Sequence, residues 1–215
     1  SGDGGPATQA QLNGPVGVYA DSAGNVFIAD RDNRRLRKVD PAGTIATVAG
    51  TGLPGSSGDG GPAIQAQFDT VGGVWGDRSG NLFVSEWGGQ RIRKIDAAGV
   101  ISTVAGTGEP GFSGDGGPAT QARINHPAQV FVDHGGNVYF ADCHNNRVRK
   151  IDATGIISTV AGTGEAGFSG DGGPATEARL DTVVGVWVDH SGTVYVADTF
   201  NHRIRAVDSQ GIVRT

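Results

Sequence analysis

The chain has no methionine and only one cysteine, Cys143, among its 215 residues. A single cysteine excludes an internal disulfide, so no covalent link staples the fold. The missing methionine, initiator included, suggests a mature or excised piece. No run of about 18 apolar residues occurs, which excludes insertion into a membrane as a helix, and no signal peptide is visible. A cationic surplus is also lacking. Lys and Arg number 17 against 22 Asp and Glu, a formal net charge of −5. Broad nucleic-acid binding requires the opposite balance, so no nucleic-acid partner is expected.

Glycine is what the chain has in excess, 38 residues in all. A glycine-rich sequence without order reads as disorder, but here the glycines recur at fixed positions, which reads as turn chemistry. The heptapeptide Ser-Gly-Asp-Gly-Gly-Pro-Ala begins at Ser1, Ser57, Ser113 and Ser169, a period of 56 residues without a slip. A fixed period of this length marks a stacked or radial repeat architecture. The repeats are 1–56, 57–112, 113–168 and a shorter 169–215, read as one domain over 1–215.

Within repeat 2, Val71–Asp77, Leu82–Glu86, Arg91–Asp96 and Val100–Ala105 are short apolar runs separated by Gly-containing turns, the pattern of four strands in a meander. The second runs read NVFIAD, NLFVSE, NVYFAD and TVYVAD, apolar on both faces. A sheet apolar on both faces must be covered on both. Four-stranded antiparallel sheets packed face to face describe an all-β propeller of four blades. In each linker, Asp115 and its equivalents are placed to cap a short helical turn opened by Pro118 and continuing through Ala119–Ile124.

The segment GVWVDHSGTVYVADTFNHRIRAVD, Gly185–Asp208, resembles the NHL repeat: an apolar strand ending in Asp, a Gly-containing turn, a V-Y-V-A-D strand, then N-x-R-I. The resemblance extends over all four copies, and the SGDGGPAT linker resembles a bacterial subtype; related linkers occur in some animal cell-surface proteins. It implies propeller blades that serve as binding platforms and does not imply a reaction; the setting is expected to be extracellular or periplasmic, and no cofactor is expected. Propellers of this family have about six blades. Four blades here allow a closed ring, a segment of a longer array, or completion by other copies, so self-association is among the expected partner modes. Tyr19, Trp75, Phe131 and Trp187 occupy equivalent sites on the first strands, where the family more often has a small residue, and favour the closed ring by filling the wider wedge between fewer blades.

Four constellations invite chemistry. Gly50-Thr51-Gly52-Leu53-Pro54-Gly55 fits a dinucleotide-binding pattern, but it lies in a linker rather than opening a long helix, so no nucleotide cofactor is read from it. Asp30, Glu86, Asp142 and Asp198 each precede an arginine by five positions, giving the expected structural ion pairs Asp30–Arg35, Glu86–Arg91, Asp142–Arg147 and Asp198–Arg203. Asp3, Asp59, Asp115 and Asp171 sit in Gly-rich loops without calcium-loop spacing. The five histidines form no equivalent ring, so no metal site is assigned.

The copies differ most in the loop after the second strand. Loops on a rigid scaffold carry binding, and Arg31, Asp32, Trp87, Gln90, His144, Asn145, Phe200 and His202 are the candidate contacts for a protein or small ligand. The leading expectation is a non-catalytic binding or assembly module. Alternatives are a structural subunit self-associating through its terminal blades, and a metal-dependent propeller lyase or lactone hydrolase.

Overall fold

Short apolar runs become strands here because each is bounded by turns that its own side chains close. Asp21, Asp77, Asp133 and Asp189 each accept two backbone N–H groups at the turn between first and second strands, as Asp77 does from Ser79 (2.8 Å) and Asn81 (2.9 Å). In the computed structural model, which describes all of residues 1–215, four such meanders form four separate antiparallel sheets. Blade 1 contains β1 (Pro15–Ala20), β2 (Val26–Asp30), β3 (Arg35–Val39) and β4 (Ile45–Ala49). Blade 2 contains β5 (Val71–Gly76), β6 (Leu82–Glu86), β7 (Arg91–Ile95) and β8 (Ile101–Ala105). Blade 3 contains β9 (Pro127–Val132), β10 (Val138–Asp142), β11 (Arg147–Ile151) and β12 (Ile157–Ala161). Blade 4 contains β13 (Val183–Val188), β14 (Val194–Asp198), β15 (Arg203–Val207) and the short β16 (Val213–Arg214). The fold is a β-propeller, as the sequence pattern predicts.

Each linker runs along the outer strand of the blade it precedes. Gly60 N–H donates to the Ile101 carbonyl and Ala63 N–H to that of Gly99, both at 2.8 Å, which occupies part of an otherwise free strand edge. The linker then makes a single 3-10 turn, Ala63–Gln65 in repeat 2 and Ala119–Gln121 in repeat 3. The expected cap is corrected: no side chain caps these turns, and Asp115 is engaged by Arg149 and Thr159 instead. From the turn onward, Ala63, Ala66 and Phe68 bury themselves against Leu36 and Ala49 of blade 1.

The core is divided among the junctions. One buried cluster joins blades 1 and 2, a second joins blades 2 and 3, and a third joins blades 3 and 4. A closed ring of four would need a fourth cluster, between blades 4 and 1, and there is none. Val74, Val130 and Val186 are 3%, 0% and 2% exposed because each packs on the preceding blade, whereas the equivalent Val18 is 65% exposed. On the opposite face of the sheets, Leu36, Ile92 and Val148 are fully buried under the following blade, whereas Ile204 is 59% exposed. The blades therefore form an open arc. This corrects the closure inferred from Tyr19, Trp75, Phe131 and Trp187. Those rings instead line up as a row, with centroid separations of 5.3, 4.7 and 6.2 Å and no contact between the first and the last.

The junctions depend on close backbone approach at Gly106, where the chain leaves blade 2 with φ +92°; a methyl group there would lie 2.1 Å from the Gln90 carbonyl oxygen. Gly116 has nearly the same φ, +82°, in open space. Gly116→Ala is expected to cost about 1–2 kcal/mol, the usual penalty of a left-handed residue, and Gly106→Ala roughly 3 kcal/mol or more, because a backbone collision is added. Urea unfolding followed by tryptophan fluorescence checks the order; equal costs would show that the Gln90 carbonyl retreats freely.

Candidate functional site

The acidic residue ending each second strand sits at the base of the loop that follows it. Its expected partner is corrected by the structure. Asp30, Glu86, Asp142 and Asp198 do not pair with Arg35, Arg91, Arg147 and Arg203 but with the arginines two residues further on. Arg37–Asp30 is 3.4 Å, Arg93–Glu86 2.5 Å, Arg149–Asp142 3.2 Å and Arg205–Asp198 3.4 Å, every one of these side chains being buried. Both arginines lie on the same pleat face as the acid, one opposite it and one diagonal to it. The nearer one is drawn away by backbone carbonyls: Arg35 donates to the Thr51 carbonyl (2.9 Å) and Arg91 to that of Thr107 (3.0 Å). Arg147 reaches Thr163 and Asn145 in the same way, and Arg203 reaches Asn201.

The buried arginine also takes a second carboxylate from the linker. Arg37 meets Asp3 at 2.5 Å, Arg93 meets Asp59 at 2.7 Å, Arg149 meets Asp115 at 2.6 Å and Arg205 meets Asp171 at 2.7 Å. These linker aspartates also accept from Thr47, Thr103, Thr159 and Thr215. Burial pulls the Asp3 and Asp171 carboxyls upward, but the threonine and arginine hydrogen bonds outweigh it and hold both below the usual carboxylate range. Burial pushes Glu86 and Asp142 the other way. Phe112 and Phe168 lie over the clamps, their rings 4.7 Å from the Arg149 and Arg205 guanidinium carbons respectively.

With the base fixed, the loops sort into scaffold and surface. Gln90 and Asn145, candidates for ligand contact, are buried. The Gln90 side-chain oxygen accepts the His126 N–H at 2.7 Å, tying blade 2 to blade 3. Asn145 donates to the Gly111 carbonyl (2.7 Å) and to Asp142 (2.9 Å). Their structural use is the correction to make there. Blade 2 replaces the Asp–Asn pair with Glu86 and Gly89, and a side chain at 89 would meet the Glu86 carboxylate at 2.3 Å, so the longer acid and the glycine go together. Arg31 and Asp32 pair with each other at 3.1 Å on the blade 1 loop. Phe200 and His202 are exposed on the blade 4 loop.

Trp87 and His144 are brought together by a residue that the sequence left unassigned, His126. The Trp87 and His126 rings meet edge to face at 5.8 Å, and His126 and His144 stack at 4.0 Å. His126 Nδ1 donates to the Asn125 side-chain oxygen at 2.8 Å, and its backbone holds a left-handed φ of 52°. Burial, and then the neighbouring charge of His144, hold the His126 imidazole below its ordinary pKa. Its equivalents are Gly14, Thr70 and Thr182, and this departure from the repeat was the available signal. Trp87 and Cys143 also border a cavity of about 450 Å³ at the inner strands, with Val18, Val74, Gln129 and Val184 on its wall. The Cys143 thiol is buried and pushed up by that burial and by Asp142, away from nucleophilic use. No three His, Cys, Asp or Glu side chains converge, so the chain presents no multidentate metal cage.

The opposite face of the arc holds a second cavity, about 400 Å³, floored by the aromatic row and rimmed by Arg78, His134 and His190. His134 and His190 lie 4.9 Å apart, and Arg78 approaches His134 Nε2 at 3.2 Å.

The model of the teneurin NHL domain matches residues 107–168 and 164–215, together about half of the chain, and the NHL-repeat model matches residues 12–39. Teneurin-1 of Gallus gallus is 30% identical over 234 residues, which span 96% of this chain and 8% of that protein. Among solved structures, a Bacteroides thetaiotaomicron protein of unknown function superposes with a TM-score of 0.72 at 20% identity, covering 89% of this chain and 46% of its own. Virginiamycin B lyase from Staphylococcus aureus superposes at 0.56 with 14% identity, covering 96% and 70%. At these identities the solved structures share the fold alone.

Tyr139 pairs across the strands with Phe131, which lines the second cavity, and neighbours Asp133. Burial, then the Asp133 charge, push its hydroxyl from an ordinary 10.0 up to about 12. The neutral form is favoured in the fold, so this contribution to stability is intact below pH 10 and is lost as pH rises through about 12, where the unfolded tyrosine has already ionised. Unfolding free energy should fall across that window, and less steeply in Tyr139→Phe; urea titrations at several pH values read both slopes, and identical slopes would remove Tyr139 as the cause.

Proposed function

This chain belongs to the NHL-repeat family, and from that premise we propose that it is a non-catalytic binding module that engages a protein or small ligand through the loops on one face. The observation that carries this reading is the cluster of Trp87, His126 and His144. On a scaffold whose clamps and turns repeat in every copy, these three rings are peculiar to one blade junction and touch across two blades, and Trp87 borders a cavity. Aromatic side chains on a rigid support lose little conformational freedom on binding and dominate contact energies. Arg31, Asp32, Phe200 and His202 flank the cluster along the same face as secondary contacts. The lack of convergent acid, thiol and imidazole groups weighs against the lyase or lactone hydrolase reading. An extracellular or periplasmic setting is supported by linkers that resemble those of cell-surface proteins.

Peptide and glycan arrays probed with the chain test this role. Trp87→Ala and His144→Ala should each weaken a captured ligand, Trp87→Ala by about 2 kcal/mol, roughly 30-fold. Arg78→Ala, on the opposite face, should leave binding unchanged. Loss with Arg78→Ala and retention with Trp87→Ala would move the site to the second cavity.

A further inference from the structure

The turns between first and second strands carry chemistry that the loop face does not use. The residue after each turn-closing aspartate is Ser22, Arg78, His134 or His190, equivalent positions in the 56-residue period. Arg78, His134 and His190 are set side by side: Arg78 donates to His134 Nε2 at 3.2 Å, and the His134 and His190 rings lie 4.9 Å apart. They meet across the junctions of blades 2–3 and 3–4, both internal to the chain, so their arrangement does not depend on the outer faces of blades 1 and 4. Trp75 and Phe131, 4.7 Å apart, belong to the floor of the same cavity of about 400 Å³. That cavity shares no lining residue with the one that Trp87 borders.

The hydrogen-bonding capacity of the rim selects the ligand. A carboxylate has about four acceptor positions. Asp77 uses three of them, on the Ser79 and Asn81 N–H groups and the Asn81 side chain. Asp133 likewise uses three, on the Gly135 and Asn137 N–H groups and the Asn137 side chain. Each keeps an acceptor position free. Arg78 has several N–H donors, and its side-chain bond within the chain goes to His134 alone. The rim therefore offers donors and acceptors together, and charges of both signs. Four lining aspartates, Asp21, Asp77, Asp133 and Asp189, oppose a simple anion, and Arg78 opposes an organic cation. A neutral ring edged with hydroxyl groups suits such a rim, because every hydroxyl both donates and accepts. An aromatic floor adds the demand for an apolar face. We propose that this cavity binds a neutral pyranose sugar, its apolar C–H face on Trp75 and Phe131 and its hydroxyls shared among Asp77, Arg78, Asp133 and His190. The site is separate from the loop-face site and does not rest on it.

The test is an NMR titration with the methyl glycosides of glucose, galactose, mannose and N-acetylglucosamine, read at the Trp75 indole N–H and the His134 and His190 imidazoles. At least one glycoside should move all three signals with millimolar affinity and leave the Trp87 indole in place. Arg78 is exposed, so Arg78→Ala keeps the fold, which circular dichroism matching the parent confirms. Its affinity for the glycoside should fall about tenfold, the size of a lost charged hydrogen bond. Trp87→Ala should bind the glycoside as the parent does, so this site stands or falls apart from the loop-face reading. The uronate of the same sugar should bind no more tightly than the neutral glycoside. Three results would each overturn the proposal: no glycoside moving the Trp75 signal, unchanged affinity in Arg78→Ala, or tighter binding of the uronate or of inorganic phosphate.

Discussion

A buried arginine between two carboxylates is the constraint on which each repeat depends. Arg37, Arg93, Arg149 and Arg205 have no access to water, and each holds the acid that ends its blade's second strand together with the aspartate of its linker. A charge in that position is tolerable because two opposite charges and a linker carbonyl, such as Ser57 O to Arg93, take up hydrogens of the two terminal nitrogens; Nε finds a partner only in Arg93, on Asp59, and is buried without one in Arg37, Arg149 and Arg205. Removing one member of a buried pair costs about 3–5 kcal/mol, a sizeable part of the roughly 5–15 kcal/mol that holds a domain together. The clamp adds specificity of position, since a guanidinium fork fixes both its partners.

From that position the rest follows in order. The clamped linker places Ala63, Ala66 and Phe68 on the preceding blade, and these residues complete the buried cluster of the junction. The junction sets how far each blade turns from the last, and the turn of the blades sets where the loops stand relative to one another. Trp87 of blade 2 touches His126 of blade 3 only because the linker between them is held at both ends: by Asp115 on Arg149, and by Gln90 on the His126 N–H. A surface able to bind is thus a product of a scaffold that repeats, with Trp87 and His144 among the variable side chains that the scaffold leaves at the surface.

Much of the fold was legible because the period of 56 residues is strict and the strands are short, bounded and apolar on both faces. The ion pairs were half legible. Acid and base were visible at each strand end, but two arginines lie on one pleat face, and the backbone carbonyl of Thr51 or Thr107 that draws the nearer one away leaves no trace in the side-chain pattern. Gln90 and Asn145 looked like ligand contacts because they lie in a variable loop; their burial depends on the neighbouring linker, which folds over them from a distant stretch of sequence. His126 went unassigned for a related reason: it lies 39 positions from Trp87 in the chain. Closure of the ring was misjudged from bulky side chains, since a row of rings fills an open arc as well as a closed wedge.

The clamp is most directly tested by amide hydrogen exchange in Arg93→Met, which keeps the bulk and removes the charge. The amides of Gly60 and Ala63, bonded to Ile101 and Gly99, and those of Gly50 and Thr51, bonded to Ala63 and Ala66, report whether the linker is held. If the buried arginine positions the linker, these four should exchange markedly faster than in the parent, while the ladder between β6 and β7 keeps its protection. Unchanged protection at all four would contradict the clamp as the organising constraint and would leave the apolar junctions to hold the linker alone.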